Sequence, residues 1–583
     1  MNWLSRHGSV AGMRHLALPL TALVVSFGGS GCGDAGACGT GFAAENGRCV
    51  PVCSEPCGEH AFCDETPEGG ACACAPGYAG DPCEWVGVLA DPEFTDPEVW
   101  SDTKNGATVI PLAQGRGNEL GIASFQASVT CSAGSVAQVV EMPSYELAEP
   151  LVVTISYRVQ NVTGVVVGYG GVFRELVDAA LWPGWSVDQR VCLGEAAYGG
   201  PVRFEVAASE RAPDCFTAPT GTIEVDRFDI VPANPGECPA PGTVLDGDAE
   251  GLEDGWQFDV QMLGEGETEA GLTAGAGDGA SSGARIRKPP GATRRARMWT
   301  KISVPRQTTL PSPALRFWHK AAARYIYRVD LGTRPSFGVV RMPLGTIVGD
   351  DIARTSTFCL PPHTHGGVFD LAFARGTGIT EDEAELVVDR VEITSDDACG
   401  TSSEVFDPSL DSAPNRWPGA LLGLVPNVEP GIVQVTNDAP EALPPGSGVL
   451  EIRYTNSQAR LEAQTWVRVP TPTADEGPIL RFQSNAPANP GVELFWALGS
   501  AIDRPVCADL PGCVVLSPLS NGLDLGGGWR DVPVCLPPEW AGRWFRVRLA
   551  VRPSDGPLEV FEPPRSVLFD NFELDTDPEC PGL

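Results

Sequence analysis

The feature that most constrains this chain is a set of four landmarks that occurs three times, in the same order, after residue 85. An apolar residue stands eleven positions before a tryptophan, and a strand-like segment then ends in proline. A cysteine in a short apolar segment follows, and an alternating segment with an aspartate closes the set before another cysteine. Chance does not explain such recurrence, so we infer three homologous domains, residues 86–240, 241–402 and 403–583.

The landmarks can be read directly from the sequence. The recurrent tryptophans, interpreted as packing residues of the fold, are Trp100, Trp256 and Trp417. The strand-ending prolines are Pro143, Pro305 and Pro470. The strand cysteines are Cys192, Cys359 and Cys535, and the closing aspartates are Asp226, Asp389 and Asp570.

The repeated unit has the pattern of a β-sandwich. Apolar and polar residues alternate in segments 202–206 and 545–551, as in strands that bury one face. With 68 Gly and 53 Pro the chain is rich in turn residues, and 43% hydrophobic residues supply packed cores. About 150–180 residues with many strands suit a two-sheet sandwich.

The opening strand with its downstream tryptophan, and the closing strand at Asp226, Asp389 or Asp570, resemble the jelly-roll family of galactose-binding-like and carbohydrate-binding modules. The resemblance covers most of residues 86–583. It implies an all-β chain: a small disulfide-rich module followed by three tandem β-sandwich (jelly-roll) domains.

Six cysteines at residues 53–83 precede the repeats, and the end of this segment reads Gly77-Tyr78-Ala-Gly80 before Cys83. The spacing resembles an EGF-like domain, here residues 49–84. Spacing alone leaves 15 connectivities open. The resemblance implies the pairs Cys53–Cys63, Cys57–Cys72 and Cys74–Cys83. The residues before Cys53 carry no acidic group, so we expect no EGF-type calcium site.

The pairing of the other cysteines is predicted from their positions in the repeats and from the even number of cysteines that remains without Cys32. Each strand cysteine is paired with the cysteine that closes its repeat: Cys192–Cys238, Cys359–Cys399 and Cys535–Cys580. Each bond closes a loop of about 40 residues and contributes about 3–4 kcal/mol in the chain-entropy account. The cysteines that remain are paired within their own segments as Cys38–Cys49, Cys131–Cys215 and Cys507–Cys513.

This scheme leaves Cys32 over among the 19 cysteines. Residues 1–31 have two arginines and then an apolar stretch at 16–27, which is typical of a signal peptide and too short to span a bilayer. Ser30, Gly31 and Cys32 resemble the end of a bacterial lipoprotein signal, although Gly29 departs from its usual leucine. The resemblance implies lipidation of Cys32, with residues 32–48 as an N-terminal segment; the alternative is ordinary cleavage.

A structural calcium ion is one interpretation of the closing aspartates. The jelly-roll resemblance implies a site between first and last strands, and carboxylates suit calcium. The matching positions are Asp91 and Glu93 with Asp226, Asp246 and Asp248 with Asp389, and Asp407 with Asp570. The alternative is that each aspartate closes a local backbone turn. No other cofactor is expected.

Several further residues are candidates for ligand contact. Exposed tryptophans stack on sugars, and those in the middle of the repeats are Trp182, Trp185, Trp318, Trp496 and Trp529; the alternative is a place in the core. A Gly/Ala/Ser-rich stretch at 270–284 is interpreted as a flexible loop. A basic cluster follows it and comprises Arg285, Arg287, Lys288, Arg294, Arg295 and Arg297. This basic cluster suits the binding of an acidic polysaccharide or an anionic lipid. The alternative is that the cluster is a solvated loop. His363 and His365 are interpreted as an exposed turn rather than a metal site.

The function that fits these features is non-enzymatic binding at the cell surface. The net charge of −35 disfavours nucleic acid as a partner. No nucleophile elbow, zinc-protease motif or phosphate loop is present. We therefore expect an exported, lipid-anchored protein of the outer membrane or cell surface that binds a glycan or protein. The alternatives are a secreted hydrolase of polysaccharides or esters, with a carboxylate pair, and a structural envelope component.

Overall fold

The computed structural model describes 42–45, 48–51, 53, 57–66, 69–100, 102–104, 108–110, 122–127, 135–160, 165–176, 184–208, 221–251, 255–260, 269–290, 296–323, 325–332, 342–375, 383–399, 419–423, 431–436, 449–472, 476–487, 490, 492–500, 523–526, 528–536, 541, 544–552 and 557–580. The chain divides into a first compact unit up to Ala73 and a second from Cys74 to Leu583. Within the described ranges, no helix has the length and apolar character needed to cross a membrane.

The cysteine-rich region consists of short antiparallel pairs. In the first unit β1 (Phe42–Glu45) pairs with β2 (Arg48–Pro51). The next pair is β3 (Ala61–Thr66) with β4 (Gly69–Cys74), and the second unit begins with β5 (Tyr78–Ala79) and β6 (Glu84–Trp85). Its disulfides are Cys53–Cys63, Cys57–Cys72 and Cys74–Cys83, the pairs expected from the sequence.

The rest of the second unit contains three pairs of sheets, here called repeats 1, 2 and 3. Repeat 1 has strands β7 (Asp102–Lys104), β8 (Thr108–Ile110), β9 (Ile122–Ala127), β10 (Ser135–Met142), β11 (Leu151–Gln160), β12 (Val165–Tyr169), β13 (Val172–Leu176), β14 (Ser186–Cys192), β15 (Gly200–Ala208) and β16 (Gly221–Pro232). Its first sheet has the order β13-β12-β15-β10-β7, and its second sheet has the order β14-β11-β16-β9-β8.

Repeat 2 has strands β17 (Gln257–Val260), β18 (Glu269–Thr273), β19 (Gly283–Lys288), β20 (Ala296–Ser303), β21 (Pro313–Ala321), β22 (Ile326–Gly332), β23 (Met342–Val348), β24 (Arg354–Cys359), β25 (Val368–Arg375) and β26 (Ala384–Ser395). Repeat 3 has β27 (Gly419–Gly423), β28 (Gly431–Thr436), β29 (Val449–Asn456), β30 (Arg460–Arg468), β31 (Gly477–Asn485), β32 (Glu493–Ser500), β33 (Leu523–Gly526), β34 (Trp529–Cys535), β35 (Trp544–Arg552) and β36 (Val560–Asp577).

The three repeats share one topology. The first sheets of repeats 2 and 3 have the orders β17-β20-β25-β22-β23 and β27-β30-β35-β32. The second sheets have the orders β18-β19-β26-β21-β24 and β28-β29-β36-β31-β34-β33. Every pairing with an assigned register in these sheets is antiparallel, and the central strands have the same neighbours in all three repeats. In repeat 3 the described part of the first sheet has four strands, and the second sheet has β33 as an additional strand beside β34. The predicted fold class, a disulfide-rich N-terminal region followed by three β-sandwiches, is confirmed.

Each repeat is closed by the disulfide that its landmarks indicate. Cys192–Cys238, Cys359–Cys399 and Cys535–Cys580 span 46, 40 and 45 residues. Each joins the end of β14, β24 or β34 to the segment after the last strand. The cross-link therefore fixes this strand, which is the edge strand of the second sheet in repeats 1 and 2, to the end of the repeat.

Repeats 1 and 2 share one cluster of buried apolar side chains, whereas repeat 3 has its own. Trp100 and Trp256 lie in the shared cluster, which confirms their interpretation as packing residues. Trp466 of repeat 3 also belongs to the shared cluster, because its side chain points away from the repeat 3 core. The three sandwiches are thus packed against one another.

One sequence interpretation of local structure is wrong. The stretch 270–284 is not a flexible loop: β18 and β19 form a hairpin there, with Thr273 opposite Gly283. Gly283 needs to lack a side chain, since a Cβ there would lie 2.7 Å from Val387. Gly277 has a similar constraint, since a Cβ there would lie 2.3 Å from Asp389 Oδ2.

Other predictions fall outside the described residues. These are the signal peptide, Cys32, Cys38 of the predicted pair Cys38–Cys49, Cys131–Cys215, Cys507–Cys513, Asp407, Trp182 and Trp417.

Candidate functional site

The outer face of the first sheet of repeat 2 is lined by polar side chains around a tryptophan. In β20, Met298 and Ile302 point into the core. Because side chains alternate across a strand, Trp299 lies on the opposite face. The same reasoning places the outward residues of the other strands beside it: Gln257, Asp259, Arg297, Lys301, Arg328, Asp330, Asp370, Ala372 and Ala374. We call these residues, with Trp299, the Trp299 face.

The strand register puts small residues next to the tryptophan. Trp299 pairs with Gln257 on one side and with Ala372 on the other. Ala372 in turn pairs with Asp330, so Trp299, Ala372 and Asp330 form a row across three strands. Ala372 places only a methyl group beside the indole ring, and this alanine is 5% exposed.

Charged groups on this face are recessed and paired. Arg297 is 2% exposed and Asp330 is 1% exposed. Arg297 Nη2 lies 3.4 Å from Asp259 Oδ2, and Arg328 Nη2 donates to Asp330 Oδ2 at 3.0 Å. Trp299 itself is partly accessible. A fixed aromatic ring beside orientated charged groups is suited to a polar ligand with one apolar surface.

Repeat 1 closes one end of the Trp299 face. Lys301 Nζ donates to the Glu237 carbonyl at 2.7 Å. Arg174 Nη2 lies 3.6 Å from Asp370 Oδ2, and both side chains are nearly buried. Asp259 and Arg328, at 38% and 36% exposed, lie on the accessible part of the face.

The sequence comparison of repeats did not single out Trp299. Counting back six positions from the strand-ending proline gives Ala137 in repeat 1 and Gln464 in repeat 3, so the tryptophan is specific to repeat 2. The signal that could have found it is the alternation Arg297-Met298-Trp299-Thr300-Lys301, which puts three large polar or aromatic residues on one face.

The predicted sugar-contact tryptophans differ in their surroundings. Trp529 is 2% exposed and packs with Val449 and Leu568, so its ring is not available to a ligand. Trp185 is partly buried, and the Arg158 guanidinium lies 5.1 Å from its ring centre. Trp318 is also partly buried and lies on the outer face of the second sheet of repeat 2. The structure does not bring these three rings together.

The basic cluster is part of the sheets rather than a loop. Arg285 and Arg287 lie in β19 and form ion pairs with Glu385 and Glu383. Lys288 and Arg297 are buried. The carboxylates neutralise the described part of this cluster, which makes it a poor site for an acidic ligand.

Each recurrent aspartate marks a β-bulge in its closing strand. In repeat 2, Arg390 and Val391 together lie opposite the single residue Phe317. The register of the closing strand shifts in the same place beside Asp226 and Asp570. The bulge turns one amide toward the opening segment: Val391 N donates to Gly247 O at 2.9 Å, and Phe228 N donates to Pro92 O at 2.9 Å. The aspartates therefore do lie where first and last segments meet.

The surroundings of Asp389 do not fit a calcium ion. Its Oδ2 accepts hydrogen bonds from Asp278 N at 2.9 Å and Ser281 Oγ at 2.5 Å. Its Oδ1 accepts from Arg390 N at 2.7 Å. Asp246 likewise accepts from Glu250 N at 2.9 Å, within its own turn. Hydrogen-bond donors point at these oxygens, whereas a cation needs them open. Asp246 closes a local turn, whereas Asp389 accepts mainly from a distant segment of the same repeat.

Among the described residues, the one group of three His, Cys, Asp or Glu side chains close enough to hold a metal is Cys53, Cys57 and Cys72. All three sulfurs are in disulfides. Asp570 Oδ1 accepts a hydrogen bond from Asn571 N at 2.7 Å. Calcium binding at Asp226 and Asp570 stays a proposal.

The loop with His363 and His365 is not an exposed turn. The His363 ring stacks on Trp466 of repeat 3, with ring centres 4.9 Å apart. Burial lowers the pKa of His365 to about 4, against the opposing effect of a hydrogen bond with the Leu360 backbone. Burial, and then the charge of Arg354, lowers the pKa of His319 to about 4. The sequence could not show this, because repeat 3 supplies part of the cover.

These two histidines predict that repeat 2 is sensitive to acid. Both folded-state pKa values lie below the usual 6.5, so protonation favours unfolding. The free energy of unfolding that depends on keeping these histidines neutral is at its full value above about pH 6.5, and it decreases as the pH falls toward about 4. We expect thermal unfolding, followed by proteolysis and mass spectrometry, to show repeat 2 losing stability before repeat 3 between these values. Repeat 3 contains no histidine and has its own apolar cluster, so it is the internal control. Equal loss in all three repeats would contradict the prediction.

No known protein family matches the chain, and no curated protein matches it. Among solved structures, the chain is similar to the family 11 carbohydrate-binding module of a cellulosomal cellulase of Clostridium thermocellum, with 14% identity, 27% of this chain and 97% of that chain covered, and a TM-score of 0.19. It is also similar to the tandem family 22 carbohydrate-binding modules of Paenibacillus barcinonensis Xyn10C, with 14% identity, 58% of this chain and 98% of that chain covered, and a TM-score of 0.19.

Proposed function

We propose that the protein is a non-enzymatic surface protein that binds a glycan on the Trp299 face of repeat 2. The observation that carries the proposal is the row of Trp299, Ala372 and Asp330, in which a partly exposed indole stands beside a methyl group and a fixed carboxylate. A sugar ring presents an apolar face that stacks on an aromatic ring, and hydroxyl groups that hydrogen-bond at its edge.

The charges on the face indicate a neutral glycan. Arg297 pairs with Asp259, and Arg328 pairs with Asp330. Carboxylates accept hydrogen bonds from hydroxyl groups and guanidinium groups donate to them, so both kinds of group are useful to a neutral ligand. A polyanionic glycan would have to compete with the carboxylates already present, and the net charge of −35 would repel it.

Replacing Trp299 by alanine is the direct test. We expect the full chain to be retained by at least one neutral polysaccharide in a panel of glucans, xylans and mannans. Loss of the stacking ring should weaken that retention at least about tenfold, which corresponds to about 1.4 kcal/mol. Affinity electrophoresis and isothermal titration calorimetry measure the change.

The matched control is Trp318→Ala, which removes a partly buried tryptophan from the other sheet of the same repeat. It should leave retention unchanged. Loss of binding in Trp318→Ala alone would transfer the site to the second sheet. Failure of the unaltered chain to bind any polysaccharide in the panel would contradict the glycan proposal.

Hydrolysis is the second candidate, because Asp330 and Asp370 lie on the same face of adjacent strands. Asp330 pairs with Ala372, two residues from Asp370, a diagonal separation of about 7–8 Å. Glycosidases use carboxyl groups at about 5–9.5 Å. However, Arg328 engages Asp330 and Arg174 engages Asp370, whereas a general acid must be free to deliver a proton. Binding is therefore favoured. Release of reducing sugar that is lost in Asp330→Asn would support hydrolysis instead.

The proposed location is the outer membrane or cell surface, with an acyl anchor at Cys32. The six disulfides of the described residues support an oxidising compartment. Mass spectrometry of the mature N-terminal peptide tests the anchor: a diacylglyceryl mass on Cys32 is expected, and an unmodified peptide would contradict it.

A further inference from the structure

The outer faces of two sheets meet at the junction between repeats 1 and 2. Val152 in β11 and Cys192 in β14 point out of the second sheet of repeat 1, since the residues on either side of each lie in the core. Val368 in β25 points out of the first sheet of repeat 2, away from the core residue Phe369. These three outward side chains pack together and are almost fully buried. Each face therefore covers the other along this line, and we call the angle between them the concave corner.

A chain of hydrogen bonds crosses the concave corner. Lys301 belongs to the Trp299 face, and its Nζ donates to the Glu237 carbonyl at 2.7 Å. The Glu237 carboxylate accepts from Arg190 Nε at 2.7 Å and from Arg190 Nη2 at 2.8 Å. Arg190 stands two positions before Cys192 in β14, so it lies on the same outer face of repeat 1. The wall of the corner opposite the Trp299 face thus carries a guanidinium group.

This guanidinium has hydrogen-bond donors that no described residue uses. Arginine has five N–H groups in one plane. The two bonds to Glu237, and a third from Nη2 to Pro232 O at 3.2 Å, hold that plane in position. Among the described residues, none accepts a hydrogen bond from Arg190 Nη1, and the side chain is 30% exposed. The two N–H groups of Nη1 therefore have a fixed direction and can be reached by an oxygen acceptor.

The tryptophan and the guanidinium occur together at one junction. At the junction between repeats 2 and 3, Thr357 stands two positions before the strand cysteine, where repeat 1 has Arg190. Gln464 stands where repeat 2 has Trp299. A device that only joins repeats would be equally useful at both junctions. The presence of both groups on the two sides of one corner indicates a ligand that contacts them at the same time.

We propose that the glycan on the Trp299 face extends across the concave corner to repeat 1, where Arg190 Nη1 donates to its hydroxyl oxygens. This extension rests on the proposed glycan binding and specifies the ligand as a chain of several sugars. Trp299 and Lys301 are about 7 Å apart along the strand, and Glu237 lies between Lys301 and Arg190. A single ring stacked on Trp299 does not span that distance. Arg190 is therefore a residue that selects long ligands over short ones.

Isothermal titration calorimetry of the full chain with cello-, xylo- and manno-oligosaccharides, from disaccharides to octasaccharides, tests the proposal. We expect the affinity to rise with chain length in the series that matches the retained polysaccharide. Arg190→Ala should weaken binding of the long members about tenfold, as expected for the loss of a hydrogen bond to a charged donor. It should leave disaccharide binding unchanged, whereas Trp299→Ala should weaken binding at every length.

The matched control is Arg158→Ala. Arg158 lies on the same outer face of repeat 1 and pairs with Glu224, but it is six positions from Val152, near the other end of β11. This variant should keep the full dependence on chain length. Arg190→Lys is a second variant that keeps the charge and one bond to Glu237 but lacks Nη1, and it should show the same selective loss. Small-angle X-ray scattering should show that the dimensions of both Arg190 variants are unchanged.

The outcomes separate this proposal from the proposed function. If Arg190→Ala and Arg190→Lys bind long oligosaccharides as the unaltered chain does, while Trp299→Ala does not, the site is confined to repeat 2 and the extension is overturned. Equal weakening at every length in Arg190→Lys, or equal weakening in Arg158→Ala, would also overturn it. Absence of binding to any polysaccharide or oligosaccharide would instead contradict glycan binding itself, and the extension with it.

Discussion

Replacing Gly366 by alanine is expected to separate repeats 1 and 2. Gly366 has a φ of +79°, which costs an L-residue about 1–2 kcal/mol. An added Cβ would also lie 2.7 Å from Ala196 Cβ and 2.9 Å from Ala196 N. The backbone of Ala196 cannot move away without loss of its hydrogen bond to Gly366 O, so the junction must open. Small-angle X-ray scattering should show a larger radius of gyration.

Gly199→Ala is the control for backbone strain. Gly199 occupies the equivalent position in repeat 1 with a φ of +82°, and nothing lies within 4 Å of its added Cβ. This variant should have the same local strain but an unchanged scattering profile at low concentration. If Gly366→Ala has the dimensions of Gly199→Ala, the junction is not maintained by this contact.

Trp466→Ala is expected to have the second large effect. Trp466 is fully buried, and removal of such a side chain costs about 3–5 kcal/mol. Its ring contributes to the apolar cluster of repeats 1 and 2, and it covers His363. Hydrogen–deuterium exchange should therefore increase in the loop around His363, in repeat 2, as well as in β30.

Trp529→Ala is the control of matched size, because Trp529 is buried within repeat 3 away from the junction. It should destabilise repeat 3 and leave exchange around His363 unchanged. Equal protection of that loop in both variants would show that repeat 3 does not stabilise it.

The fold could be predicted because its determinants are local and repeated. Alternation in single strands indicates which face is buried, and a cysteine at the same place in three copies indicates one shared bond. The recurrence of Asp226, Asp389 and Asp570 is visible in the sequence, but the bulge beside each of them is not. The hydrogen bonds of Asp389 are not visible either, because its donors Asp278 and Ser281 lie more than one hundred residues earlier.

The candidate site was not predictable by the same means. A search for features common to the repeats rejects Trp299, since Ala137 and Gln464 replace it. The cover of Asp370 is supplied by Arg174 of another repeat. The burial of His365 and the pairing of Arg285 also depend on strands that are distant in sequence. Sequence periodicity reports which face a residue occupies, but not which other element lies above it.

The shared apolar cluster of repeats 1 and 2 has a consequence for cooperativity. A fragment cut between residues 240 and 241 would expose Val368 and the side of Cys192, which pack together in the intact chain. Repeats 1 and 2 should therefore melt in one transition rather than two, and each should aggregate when made alone.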